Sequence, residues 1–231
     1  MIKKIILLLC FFVSTAFFHP FERQVAEAVD LLTQQKAAIQ QISQTCNAPT
    51  DEALAVVFPE LIRWSAFQNF LETEVLEAQY VSGGAAAADF SIGYFQMKPS
   101  FIEDLETEIA AKPIFKGFDY QYVLILNKNA TETRQIRLAR LQQTEWQLRY
   151  AHLFWLVMER KFGHRKFDSP QARIRFFATA YNFGFQKSEA EIEAYQSKSF
   201  FPYGRKYTSE QVAYADLSLE FYEKWAKNFV K

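Results

Sequence analysis

From Thr50 onward, apolar positions recur at the spacing of one helical face, with Leu54, Val57, Phe58, Leu61 and Ile62 on a single stripe. Pro59 lies inside that run, which predicts a kink or a helix restart at its centre. Farther along, Leu141, Leu148, Trp155 and Phe162 repeat every seven residues, with Ala151 and Met158 on the flank. That spacing predicts one long core helix over residues 132–162, and its irregular charged flanks argue against a coiled coil. Helix starts are marked by Ser or Thr followed three residues later by Glu or Gln: Ser65 with Gln68, Ser100 with Glu103, Ser188 with Glu191, and Thr208 with Gln211. Ser169-Pro170 predicts another, with Ser as the cap and Pro at the first helical position.

Two stretches break the helical pattern. Residues 81–99 hold Gly83, Gly84, an alanine run and Gly93; residues 112–129 include Tyr120 to Leu126, which predict a short strand. Residues 17–48 are polar and Gln-rich after a short aromatic patch, and predict a loose helix or a mobile arm. The main domain is expected over residues 49–231, with no linker between cores and no internal repeat.

Composition sharpens this pattern. Hydrophobic residues at 50% and aromatics at 17% exclude a disordered chain. Seven Gly and seven Pro in 231 residues are too few for an all-β sandwich or barrel, so the expected class is mainly α, with a loop and short-strand region. Lys plus Arg (26) equals Asp plus Glu (26), which excludes a field that would attract nucleic acid.

Residues 1–16 have the layout of a secretory signal: Lys3 and Lys4, an apolar run from Ile5 to Val13, then Ser14-Thr15-Ala16. The run is short of the ~20 residues a spanning helix needs. The expected location is therefore outside the cytoplasm. Cys10 falls within the signal, leaving Cys46 as a lone thiol that is expected to be buried or incidental.

Three short pieces carry candidate chemistry. In Val56–Ser65, Glu60 sits at helical spacing beside Val56, Val57, Arg63 and Trp64. Loss of hydration there would raise its pKa toward that of a general acid, whereas an ion pair with Arg63 would pull it the other way. In Ser91–Phe101, Gly93 permits close backbone approach and Gln96 offers both a donor and an acceptor ahead of a helix start at Pro99-Ser100. In Ala178–Gly184, Tyr181 and Asn182 project from the last turn of a helix that Gly184 ends. Glu72, Glu74, Glu77 and Asp89 are candidates for a second carboxylate, though a solvated face is the preferred account of all four; Asp89 is the best of them because it lies near Gly93. Trp64, Tyr94, Phe95 and Tyr203 are candidate stacking platforms near these pieces. His152 and His164 lack a ligand-spaced partner, so no metal or cofactor is expected. Arg134, Arg137 and Arg140 line one helix face and are expected to form a solvated basic stripe.

In this order the three pieces resemble the lysozyme-like lytic transglycosylase superfamily, which includes the goose-type lysozymes. Gly93, Gln96 and Pro99 match its Gly-x-x-Gln-x-x-Pro segment, and Ala180, Tyr181, Asn182 and Gly184 its Ala-Tyr-Asn-x-Gly segment. The match covers residues 50–225, where Tyr214 begins a candidate closing helix. Leu61 stands where the family often has Ser after its catalytic Glu, Pro59 precedes that Glu, and the interval to Gly93 is longer than usual. The resemblance implies a lysozyme-like fold, a place in the periplasm or cell envelope of a bacterium, and a cleft for the alternating amino sugars of peptidoglycan strands, against whose rings the four aromatic candidates would stack. Glu60 would be the single acid/base and the product a 1,6-anhydro sugar, with Gly93, Tyr94, Gln96, Tyr181 and Asn182 on the substrate. A hydrolase using Asp89, a non-catalytic glycan-binding or envelope scaffold, and a helical partner of an envelope protein docking through Phe-rich surface are the competing expectations.

Overall fold

A computed structural model of the chain describes residues 20–67, 73–115 and 117–230. It is mainly helical. The order is α1 (Glu22–Gln34), α2 (Lys36–Thr45), α3 (Thr50–Phe67), α4 (Thr73–Gly83), α5 (Pro99–Ala111), β1 (Ile114–Phe115), β2 (Phe118–Asp119), α6 (Ala130–Leu141), α7 (Thr144–Phe162), α8 (Pro170–Phe183), α9 (Glu189–Tyr195), β3 (Ser199–Phe201), β4 (Val212–Ala213) and α10 (Tyr214–Lys224). The strands form two separate antiparallel pairs, β1 with β2 and β3 with β4. The expected signal at 1–16 and the candidate Glu72 lie outside the described residues.

Two helices make the centre. In α3, Ala53 through Phe58, Leu61 and Ile62 are all buried, and α1, α7, α8 and α10 pack around it. A helix that is apolar on every side has to be enclosed in this way. The helix runs through Pro59 without restarting. In α7, Tyr150 to Met158 are buried without a gap. The Gln-rich segment forms two helices that join the same core: Val25, Ala28 and Leu32 of α1 and Ile39 and Ile42 of α2 are buried, the first helix against α3 and the second against α7. Cys46 is buried beside them.

The start signals fare unevenly. Ser188 and Glu191 form a complete capping box on α9, and Ser169 accepts the Ala172 N–H ahead of Pro170. Ser65 lies inside α3, so it starts nothing. Ser100 follows Pro99 at the second position of α5, where its N–H is taken by the Asp89 carboxylate at 3.0 Å. Thr208 and Gln211 fall in the loop before β4; Gln211 Nε2 instead donates to the Gly204 carbonyl at 2.8 Å. The long helix expected over 132–162 is two helices broken at Gln142-Gln143, and the first has an Asn129–Glu132 capping box. Tyr120 to Leu126 is not a strand: a 3-10 turn covers Gln121–Val123, and the strands lie just before it.

The expected basic stripe is also overturned. Arg137 is buried, and its guanidinium meets Glu106 at 2.7 Å, Glu103 at 2.9 Å and the Tyr80 hydroxyl at 2.7 Å. The Tyr150 hydroxyl donates to the other Glu106 oxygen at 2.9 Å, so the cluster ties α4, α5, α6 and α7 together. Arg134 donates to the Val81 and Ser82 carbonyls, and Arg140 donates to the Val123 carbonyl and stacks on Trp146. Each charge on that face answers a carbonyl or carboxylate brought in from another element, which helical spacing alone does not reveal.

Candidate functional site

A cleft of about 370 Å³ opens between α5 with the loop before it and the end of α8 with the loop after it. Met97 and, at helical spacing on α5, Ser100, Phe101 and Asp104 line one wall, and residues 181–187 line the other without a gap. Glu60 and Arg63 reach it from α3.

Glu60 is 3% exposed, and its accessible edge faces this cleft. Burial among apolar neighbours disfavours the charged carboxylate and pushes the group up to about 7, against the pull of the Arg63 guanidinium and the Tyr214 hydroxyl. Arg63 Nη1 donates to both Glu60 oxygens, at 3.1 and 2.8 Å. Its Nη2 reaches Asn182 Oδ1 at 3.5 Å, and its guanidinium lies 4.6 Å from the centre of the Phe201 ring. The Tyr214 hydroxyl has two acceptors within reach: it donates to the Val56 carbonyl at 3.1 Å, and the Glu60 carboxyl lies alongside. The two opposing effects expected from sequence are therefore both present, and desolvation is the larger.

The family-like segments meet here in part. Tyr181, Asn182 and Gln96 line the same cleft as Glu60. The Tyr181 hydroxyl donates to the Phe95 carbonyl at 2.9 Å, which ties the end of α8 to the loop before α5. Gln96 holds a positive φ of 48°, and both its backbone N–H and its side-chain amide donate to the Gly93 carbonyl, at 3.1 and 2.8 Å. The bridge between Ile92 and Met97 closes this tight loop.

Gly93, Tyr94 and Asp89 are not among the described residues lining the cleft. Gly93 has φ 67°, and a Cβ there would fall 1.6 Å from Gln147 Nε2. Its role is to let the loop lie against the Gln147 side chain, whose Oε1 accepts the Phe95 N–H at 2.9 Å. Tyr94 packs edge-on to Trp64, with ring centres 4.7 Å apart. Asp89 takes the Ser100 N–H and pairs with Lys98 at 3.5 Å, so its carboxylate is engaged at the start of α5. Of the other acidic candidates, Glu77 accepts from Gln142 at 2.8 Å and Glu74 is exposed. Phe95 is buried, and the aromatic rings on the cleft are Phe101, Tyr181, Phe183 and Phe185 rather than the four expected from sequence.

Sequence reasoning missed Asp104, whose carboxyl burial and the neighbouring Glu103 raise. It also missed Lys98 and Lys187 on the rim of the same cleft. The signal for Asp104 was present: residues 100, 101 and 104 share one face of a helix that starts at Pro99. Among the described residues no group of three His, Cys, Asp or Glu comes together as metal ligands would. The chain matches no protein-family model, no curated protein and no solved structure.

Proposed function

We propose that the chain is a glycan-cleaving enzyme of the lytic transglycosylase type, with a lysozyme-like fold, acting on peptidoglycan in the bacterial envelope, and that Glu60 is its acid/base. The observation carrying this reading is the convergence of Glu60, Gln96, Tyr181 and Asn182, from three separate stretches, on one cleft in which Glu60 is buried and held near neutrality. A carboxyl with a pKa near the working pH is populated in both forms and can give and then take a proton. Protonated Glu60 donates to the glycosidic oxygen as the bond to C1 breaks. The resulting carboxylate then accepts the proton of the sugar's 6-hydroxyl as that oxygen bonds C1, so no water is consumed. Arg63 opposes the first protonation and stabilises the carboxylate formed by donation, while Asn182 holds Arg63 in place.

Incubating the purified chain with peptidoglycan sacculi and weighing the soluble fragments tests this. The expected products are anhydro-terminated, lighter by one water than hydrolytic ones, and Glu60→Gln should release none. Fragments of hydrolytic mass would point to a water-using variant, with Asp104 rather than Asp89 as the cleft's second carboxylate.

One observation favours the competing scaffold reading: both Glu60 oxygens are already engaged by Arg63. A non-catalytic glycan binder would sediment with sacculi and release nothing, in wild type and Glu60→Gln alike.

A further inference from the structure

Exposed large apolar side chains are concentrated in one place. Of the seven among the described residues, Ile114, Phe118, Tyr122 and Leu126 fall within thirteen consecutive positions, 42–60% exposed. They belong to the β1–β2 ribbon and the segment that follows it. Pairing sets Phe118 opposite Phe115 and Ile114 opposite Asp119. Ile114 and Phe118 therefore lie on opposite faces of the ribbon, so apolar surface wraps it instead of marking one side. Gly117 at the turn has φ 84°, and a Cβ added there would meet nothing within 4 Å, so the tip stands clear of the fold. The base is anchored by buried Phe115, Tyr120 and Val123.

The charge around this apolar tip is mainly positive. Among the described residues of this segment, Lys112 and Lys128 stand against a single acid, Asp119, whose carboxylate accepts the Gln121 N–H at 2.8 Å. Lys112 and Lys128 are exposed, and Arg149 lies beside the Tyr122 ring hydroxyl.

We propose that residues 112–115 and 117–128 form a docking surface for an anionic lipid bilayer, the ribbon entering the headgroup region while Lys112 and Lys128 stay at the phosphate level. One flat protein surface cannot cover a ribbon that is apolar on both faces, whereas an interfacial lipid layer surrounds whatever enters it. Phe and Tyr suit that depth, and lysine stems reach outward from it to anionic headgroups. No helix of the described residues is long and apolar enough to cross a membrane, so this contact is peripheral. The proposal is independent of the glycan-cleaving reading.

The test is co-sedimentation of the full chain with vesicles of phosphatidylcholine alone or mixed with phosphatidylglycerol, at low and high salt. Any attachment through residues 1–16 is common to all variants, so the differences report on the ribbon. Wild type is expected to prefer the anionic vesicles about tenfold, with the preference lost at high salt. Phe118→Ser/Leu126→Ser should bind about tenfold less, and Lys112→Glu/Lys128→Glu should lose the anionic preference, both with an unchanged circular dichroism spectrum. Wild-type binding by the serine variant, or equal binding of wild type to both vesicle types, overturns the proposal. So does the absence of vesicle binding alongside self-association that the serine variant abolishes, which would make the ribbon a protein contact.

Discussion

Arg63 grips both oxygens of the Glu60 carboxylate through a single nitrogen, Nη1, leaving Nη2 for Asn182. The pair links a buried acid on α3 to a cleft residue at the end of α8, and its strength sets how easily the acid gives up its proton.

Activity on peptidoglycan is expected to fall as pH rises past about 7, because Glu60 then loses the proton it must donate. Arg63→Met removes the cation that holds the carboxylate down, so Glu60 should retain its proton to higher pH and the falling limb should move up by roughly 1–3 units. The pH profile of kcat/KM for both proteins checks this. A limb that stays in place would show that Arg63 does not govern the acid.

Stability against pH should show two opposed slopes. Glu60 is raised from 4.5 to about 7 on folding, so its contribution is full below about 4.5 and is lost as pH rises through 7. His152 is fully buried; its Nδ1 faces the Leu148 carbonyl at 2.7 Å and its Nε2 the Thr50 hydroxyl at 3.0 Å, and burial lowers it to about 4. Its contribution is full above about 6.5 and is lost as pH falls toward 4. Each is on the order of 3 kcal/mol across its window, so they largely cancel between them. Relative to wild type, Glu60→Gln should gain stability as pH rises through 7, and His152→Gln should gain it as pH falls below 6.5. Urea unfolding of the three proteins across that range measures both differences.

Gly93→Ala should destabilise the fold by about 2 kcal/mol or more, since the new methyl overlaps the buried Gln147 side chain at a left-handed φ. Gln147→Ala removes the overlap but also the acceptor for the Phe95 N–H. The double variant should therefore lose less than the sum of the two single changes, as a denaturant double-mutant cycle would show.

Arg137→Met should cost about 3–5 kcal/mol, because it leaves Glu106 buried without its cation. Arg137→Met/Glu106→Leu removes both charges and should recover most of that loss in thermal unfolding.

The helical class, one apolar stripe of α3 and the core of α7 were legible from helical spacing, but the burial of α3 on every side and its passage through Pro59 were not, because they depend on the four helices that pack around it. The start signals located α5, α8 and α9, although Ser100 lies just inside its helix instead of capping it, and they failed at Ser65 and Thr208, where the same spacing occurs within a helix or a loop. The break at Gln142-Gln143 carries no Pro or Gly; the Thr144-x-x-Gln147 spacing just beyond it is a start signal that the seven-residue apolar repeat running across the break obscured. At the site, Glu60 and Tyr181 could be read from neighbours along the helix. The use of Gly93 against Gln147, and of Asp89 against Ser100, rests on contacts made only after the chain folds back. Arg137 was misplaced for the same reason, since its carboxylates come from α5.

The enclosure of α3 by four other helices has a consequence for motion. Backbone amides of a helix wrapped in this way exchange with deuterium only when the whole molecule opens. Residue 60 thus belongs to the slowest-exchanging unit, while the facing rim ends in exposed Gln186 and Lys187. Deuterium exchange is therefore expected to begin at that rim and to reach residue 60 last.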